Sequence, residues 1–347
     1  MGASLSKVKA ERRPRGKALS HVRSDQLTIE RRQAGEGFTY HAPDGTKITA
    51  KAEIKRFASL AVPLAYVNVY FCADARGHLQ AVGRDAAGRL QYRYHPEWVE
   101  VRESRKAKRL GALVAMLPKI RRALAQHLSG TEPTRNFALA AVIELVAGSA
   151  IRPGSEEYAK KNGTRGAATL LKSNVRVSGE TISLVFRAKG GKDVRKEFSA
   201  PRLAAAIAVL RTLSGSRLFQ YRDEMGAIRQ VHARDVNIFL KEMAGPSVSL
   251  KDFRTLCASA AVLDQLARMA PADTPQKRRK QVLEAVRAAA ESLSNTPAVC
   301  RRSYVHETVV TAFEAGVLEG FSSMLKACRS PAKREQFLAQ VVATAAA

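Results

Sequence analysis

The stretch "NFALAAVIELVAGSAI", residues 136–151, is apolar at helical spacing around nearly its whole circumference. A helix with one apolar stripe lies on a surface, whereas one that is apolar all round has to be enclosed. The run is too short for a bilayer, which asks for roughly 18–20 such residues. It therefore predicts a buried helix. "SRKAKRLGALVAML" precedes it, and "RLAAAIAVLRTL", "ARDVNIFLKEM", "KDFRTLCASAAVLDQLARM" and "TPQKRRKQVLEAVRAAAESL" follow, all with apolar residues at helical spacing. A final stretch, "SMLKACRSPAKREQFLAQVVATAAA", is interrupted near Pro331.

Two regions break the helical pattern. Between 174 and 198, "NVRVSG", "TISLVFRAK" and "DVRKEFS" alternate with period 2, and Gly179-Glu180 and Gly190-Gly191 mark turns between them. A small three-stranded sheet is expected there. Residues 37–95 read as β-rich: "GFTYHAPDGTKITA" turns at Pro43-Asp44-Gly45, "YVNVYFCAD" is β-branched and aromatic, and "HLQAVGRDAAGRLQYRYHP" gives two strands joined through Gly88. The chain, at 347 residues, is long for one core. The expected fold class is α+β, divided into a basic flexible arm (1–34), a β-rich domain (35–100) and a mostly α-helical domain (101–347) that contains the small sheet.

Charge narrows the choice of partner. There are 58 Lys+Arg against 31 Asp+Glu, a net charge of +27. Self-repulsion on that scale is best tolerated against a polyanion, and double-stranded DNA or another nucleic acid is the commonest, an anionic membrane the next. The first 23 residues hold seven Lys/Arg opposed only by Glu11 and lack an apolar stripe, which suits a flexible arm better than a transit peptide. "MGASLS" matches the loose myristoylation pattern of Gly2 and Ser6. Four cysteines, Cys72, Cys257, Cys300 and Cys328, lie far apart with no CxxC, which fits a reducing cytoplasm and neither a zinc site nor a disulfide framework. A Walker loop, a GxGxxG after a strand and an acidic metal cluster are all missing from the sequence, so no cofactor is expected: neither ATP, nor a nicotinamide, nor an essential divalent metal.

Five polar residues past position 150 interrupt buried or turn-like contexts, and each has an ordinary structural reading. Arg152 in "SAIRPGSEEY" suits the C-terminal cap of a helix. Lys189 in "VFRAKGGK" suits a solvated hairpin, Arg254 in "KDFRT" a partner of Asp252, and Asn295 before Thr296-Pro297 a helix cap. Tyr304 in "CRRSYVHE" suits a surface aromatic beside Arg301 and Arg302.

Taken together, these segments resemble the type IB DNA topoisomerases, in particular the short poxvirus and bacterial enzymes. The resemblance runs from about "ERRQAGEGF" to the C-terminus, through "GHLQAVGRDAAGRLQYRYHPEW", "IRPGSEEYAKKNGTRGAATL", "FRAKGGK", "KDFRT" and "NTPAVCRRSYV". It implies the tyrosine recombinase/topoisomerase IB type of catalytic domain. Tyr304 would be the nucleophile, forming a 3′-phosphotyrosyl link, with Arg152 and Arg254 on the non-bridging oxygens and Lys189 the general acid. Asn295 would stand where the family has histidine or asparagine. Gln91, Tyr92, Tyr94, Tyr158 and Lys251 would contact DNA. The family picture is a monomeric clamp that relaxes supercoils of either sign without ATP, here in the cytoplasm with the nucleoid.

The chemistry suits these residue types. A phenol ionises near pH 10, so cations that favour the phenolate and the charge gathering on the phosphorane both help. Two guanidiniums can take the place of metal ions, and a leaving alkoxide needs a proton donor. Three departures are visible. Ala188 replaces the glycine of the family's Phe-x-Gly-Lys turn, with Lys192 an alternative acid. "LCASAA" follows Arg254-Thr255, a change expected to affect packing more than chemistry. Asn295 donates a hydrogen bond but no proton, so its role is electrostatic; His306 is expected to be structural. A tyrosine recombinase shares this logic but typically shows His-x-x-Arg, where this chain has Lys251-Asp252-Phe253-Arg254, and carries a helical arm-binding domain. A non-enzymatic DNA-compacting protein would explain the charge but not five spaced motifs.

Overall fold

A computed structural model describes residues 18–328 and 330–344. The chain divides into two compact units that meet at Arg102/Glu103. Gly2 and Ser6, like the rest of the first 17 residues, lie outside the described residues. What remains of the expected arm, 18–34, is folded. Ser20 bridges to Gly77, and Ile29–Ala34 forms strand β1. The charges of "IERRQA" look like part of a basic arm, but Ile29 is buried and Arg31 donates to the carbonyls of Val62, Pro63 and Tyr66.

In the first unit, β1, β2 (Gly37–His41), β3 (Val67–Phe71), β4 (Leu79–Arg84) and β5 (Leu90–Tyr94) form one antiparallel sheet, ordered β2-β1-β3-β4-β5. The region read as uniformly β-rich also contains a helix, α1 (Lys51–Ser59). Phe57 explains it: the ring is buried against Tyr40 and Phe71, with centroids 4.9 and 5.0 Å away, and anchors the helix to one sheet face. β5 is an edge strand. Tyr92 and Tyr94, two apart, share a face, stack at 6.4 Å, and are 42% and 41% exposed. Gln91 points to the other face, opposite Gly83, and donates to Asp85 at 2.8 Å.

The second unit begins inside α2 (Trp98–His127), a single helix that crosses the unit boundary. The apolar segment is α3 (Arg135–Ser149), whose Phe137 to Ile143 are all buried. Next come α4 (Glu156–Asn162) and the expected antiparallel sheet of β6 (Val175–Ser178), β7 (Thr181–Ala188) and β8 (Lys192–Ser199). The chain continues through α5 (Pro201–Arg211), a hairpin of β9 (Gln220–Arg222) and β10 (Ile228–Gln230) that the sequence pattern does not reveal, and α6 (Ala233–Ala244). α7 (Leu250–Leu266), α8 (Pro275–Ser292), α9 (Pro297–Ser303), α10 (Glu307–Glu314), α11 (Ser322–Ala327) and α12 (Pro331–Thr344) complete it. Pro331 is the first residue of α12, where a missing N–H costs nothing.

α3 packs against α5, α6, α7, β8 and β9, as an all-round apolar helix must. Its capping is complete at one end and strained at the other. Thr134 accepts from the Phe137 N–H, whereas Ala150 closes the helix in the left-handed region at φ 52°. No helix among the described residues is long and apolar enough to cross a membrane. Shortening a side chain at the centre of α3, as in Ile143→Ala, should cost about 2–5 kcal/mol through lost burial and a cavity, read as a lower urea midpoint.

Candidate active site

The site grows out of the strained end of α3. Left-handed backbone disfavours residues with a Cβ, so it persists where surrounding contacts fix it. Of the four described non-glycine residues with positive φ, Ala150 lies two residues before Arg152, and Ser294, at φ 49°, directly before Asn295. Both turns are held by the same side chain. Arg254, 2% exposed, donates from Nη1 to the Ala150 carbonyl and from Nη2 to the Leu293 carbonyl at 3.1 Å. It does not pair with Asp252, which instead closes a capping box with Ser249 at the start of α7. The Nε of Arg254 is buried without a hydrogen-bond partner.

Arg152 does not cap α3; its Nη2 donates to Asn295 Oδ1 at 3.1 Å. Nor does Asn295 cap α9, a task that falls to Thr296, which accepts from Val299 N. The Nδ2 of Asn295 is buried and unpartnered. The loop that carries Arg152 is locked by close backbone contact. Ala167 N donates to the Arg152 carbonyl and Ala168 N to the Pro153 carbonyl, both at 2.8 Å. A Cβ on Gly166 would lie 2.6 Å from the Arg152 oxygen and 2.5 Å from Gly154 N, so only glycine fits.

Tyr304 is no surface aromatic: it is 8% exposed, at the C-terminal cap of α9. The Arg254 guanidinium lies 4.8 Å from its ring centroid, and Lys251 Nζ, one turn earlier on α7, lies 5.8 Å away. Burial, the largest influence, would push the phenol up. The charge and hydrogen bond of Arg254, backed by Arg152 and Lys251, outweigh it and hold Tyr304 below the ordinary phenol range. Arg254 is drawn below its ordinary value by burial, with Tyr304 opposing that shift and Arg152 adding to it.

The backbone around the tyrosine is tied from several sides. Ser259 Oγ, on α7, donates to the Tyr304 carbonyl at 3.1 Å and accepts from His306 N at 3.0 Å. Lys106 Nζ, on α2, reaches the Val305 carbonyl at 2.8 Å, and the amides of Tyr304 and Val305 both bond to the Cys300 carbonyl. His306 is buried and caps α10 by accepting from Thr308 N at 3.2 Å; burial and Lys106 hold its imidazole below the ordinary value. "LCASAA" thus does more than packing, because its serine holds the tyrosine's segment. The signal for Ser259 was a small hydroxyl, one turn after Thr255, among the apolar residues of α7.

Arg152, Arg254, Asn295, Tyr304 and Lys251 are therefore linked contact by contact. Lys189 and Tyr158 form a second group. Lys189 is exposed at the tip between β7 and β8, with Nζ 4.8 Å from the centroid of the Tyr158 ring. Ala188 ends β7 paired with Lys192, and the left-handed turn falls on Gly190 and Gly191 instead (φ 82° and 73°). Replacing the family's glycine at 188 therefore asks nothing unusual of the backbone. A small pocket beside the first group is lined by Arg152, Arg165, Lys196 and Arg254. Lys196 also donates to the Ser149 carbonyl, and burial draws its ammonium below the ordinary value. Sequence reasoning missed both Arg165 and Lys196, since alternation on β8 makes Lys196 look like one more solvated lysine.

Two guanidiniums and a lysine gathered about a buried phenol, with Arg254 Nε and Asn295 Nδ2 unpartnered, make a site suited to an anionic group. Comparison with known proteins makes it specific. Residues 96–327 match the catalytic core of eukaryotic DNA topoisomerase I, and residues 37–85 the N-terminal domain of bacterial DNA topoisomerase IB. DNA topoisomerase 1B of Acanthamoeba polyphaga mimivirus is 31% identical over 284 residues, covering 80% of this chain and 84% of that protein. DNA topoisomerase 1B of Vaccinia virus (strain Copenhagen) is 24% identical and DNA topoisomerase I of Monkeypox virus 23%, each over 68% of this chain and 73% of the relative. The chain belongs to the type IB DNA topoisomerases and is an enzyme of that class acting on DNA; the recombinase and compaction readings are not favoured.

Gly166→Ala should displace the Arg152 loop. The overlap should cost about 1–3 kcal/mol, seen as a lower melting temperature, and DNA cleavage should fall by more than the loss of folded protein explains.

Proposed function

We propose that Tyr304 Oη attacks a DNA phosphodiester, forming the Tyr304–phosphorus bond as the bond to the 5′-oxygen breaks. The observation that carries this reading is the buried phenol against Arg254, with Lys251 and Arg152 adding positive charge. The tyrosine's proton leaves to solvent, and Lys189 Nζ protonates the departing 5′-oxygen. Arg152 and Arg254 face the non-bridging oxygens, where charge accumulates in the transition state. The unpartnered Arg254 Nε and Asn295 Nδ2 are donors suited to a phosphate oxygen. The phosphotyrosyl bond conserves the energy of the phosphodiester, so resealing reverses the same steps with no nucleotide. Rotation of the free 5′ end between the two steps removes supercoils of either sign. The fixed guanidiniums supply the charge that a divalent metal would, so none is essential.

Binding is largely electrostatic in this reading. A net charge of +27 matches a polyanion, and affinity should fall by orders of magnitude between low and physiological salt. The exposed pair Tyr92 and Tyr94 suits contact with sugars or base edges in the first unit, and the exposed Lys251 suits a phosphate in the second. We infer a monomer that grips duplex DNA as a clamp, in the cytoplasm with the nucleoid.

The decisive test is relaxation of supercoiled plasmid in EDTA without ATP. The native protein should relax both signs of supercoil while Tyr304→Phe binds the plasmid and leaves it unrelaxed; relaxation by Tyr304→Phe would refute the mechanism. Arg254→Ala should lower single-turnover cleavage by on the order of 10²–10³ or more, as loss of a preorganised charge donor does. Asn295→Ala should lower it by about tenfold to a hundredfold, the scale of one hydrogen bond to a charged group.

The pH profile follows from the depressed phenol. Cleavage should rise as pH passes through the Tyr304 pKa and level off below the ordinary phenol range. Removing a cation raises that pKa, so Lys251→Met should shift the rising limb to higher pH; an unmoved limb would mean that the phenol is not the group titrating.

A further inference from the structure

The geometry points to Tyr158 as a positioning residue for Lys189: its ring face is the platform that holds the lysine where the departing 5′-oxygen will be. The inference rests on the reading of Lys189 as general acid and adds how that acid is aimed. A lysine at a hairpin tip has a long, freely rotating stem, whereas proton transfer needs the nitrogen within hydrogen-bond reach of the leaving oxygen. Lys189 Nζ lies 4.8 Å from the Tyr158 centroid, within the range of a cation–π contact.

The platform is built into the fold. Arg165 N donates to the Arg187 carbonyl at 2.7 Å, and Arg165 bridges in parallel to Ala188, so the segment leaving α4 is stitched to the end of β7. Thr164 Oγ1 donates to the Tyr158 carbonyl at 3.4 Å. The opposite end of α4 is anchored by Glu156, which accepts from both terminal nitrogens of the buried Arg217, at 3.1 and 2.7 Å. Arg217 in turn donates to the carbonyl of Ala168, whose own N–H helps to lock the Arg152 loop. Ring, lysine and phosphate-facing arginine thus share one braced backbone. At the tip, Gly191 N bonds to the Ala188 carbonyl at 3.0 Å, fixing the turn from which Lys189 projects.

The two roles open to Tyr158 use different atoms. Contact with a DNA phosphate uses the hydroxyl; holding Lys189 uses the ring face. Tyr158→Phe and Tyr158→Trp keep a face and Tyr158→Leu removes it. All three should fold, because Tyr158 is 43% exposed.

The experiment uses the full chain and a duplex built around the cleavage site mapped on plasmid DNA, with either oxygen or sulfur at the 5′-bridging position. A thiolate leaves without a proton, so sulfur makes the general acid unnecessary. On the oxygen substrate, Tyr158→Leu should cleave about tenfold more slowly, a fraction of the roughly 10²–10⁴-fold that general-acid catalysis supplies, while the Phe and Trp variants stay near the native rate. On the sulfur substrate, Tyr158→Leu and Lys189→Ala should both match the native rate. Equal slowing of Tyr158→Leu on both substrates, or on neither, overturns the platform. Lys189→Ala slowed on both overturns the general-acid reading itself, and the platform with it.

Discussion

One buried guanidinium holds this catalytic unit together. Arg254 reaches two carbonyls that lie far apart in sequence, Ala150 at the end of α3 and Leu293 at the end of α8, and its face meets Tyr304 beyond the end of α9. Burying a charge is costly unless hydrogen bonds replace its water, and the two carbonyls replace part of it. The turns it fixes are those that project Arg152 and Asn295. A lysine could not do this, because the task needs several donors spread in a fixed plane.

The same economy of parts explains the strain. Ala150 and Ser294 sit in backbone that glycine would adopt more readily, and neither is exposed. The left-handed turns bring Arg152 and Asn295 to within 3.1 Å of each other, which ordinary helix ends would not. Nitrogens left unpaired at Arg254 and Asn295 add a second local cost. Strain and unpaired donors that cluster at one place are what a site prepared for an anion looks like from the protein's side.

Much of this was legible in the sequence, and the failures share a cause. The apolar circumference of 136–151 gave the buried helix, and period-2 alternation gave the small sheet, because both signals are local. Tyr304, Arg152 and Arg254 stood out through the resemblance of their segments to a family, because each taken singly suited an ordinary structural role. Their partners did not stand out: the Ala150 and Leu293 carbonyls carry no side-chain signature, so Asp252 looked like the natural mate for Arg254. Strand β1 was hidden by its arginines and α1 by its β-like neighbours. Gln91 was grouped with Tyr92 and Tyr94 by the family resemblance, and strand alternation sets it on the other face, where it donates to Asp85. Ser259 and Lys196 matter only through contacts with distant segments, which no spacing records.

The short segment at 304–306 has a mechanical consequence. In the proposed intermediate, a DNA strand hangs from the Tyr304 side chain while the rest of the duplex swivels, and the drag of that swivelling loads the protein through this one residue. Its backbone is pinned by Ser259 on α7 and, one residue on, by Lys106 on α2, besides its own bonds to Cys300. Two helices thus share the load with the short helix that bears the tyrosine. The nucleophile is moored as a tether point as well as aimed as a reagent.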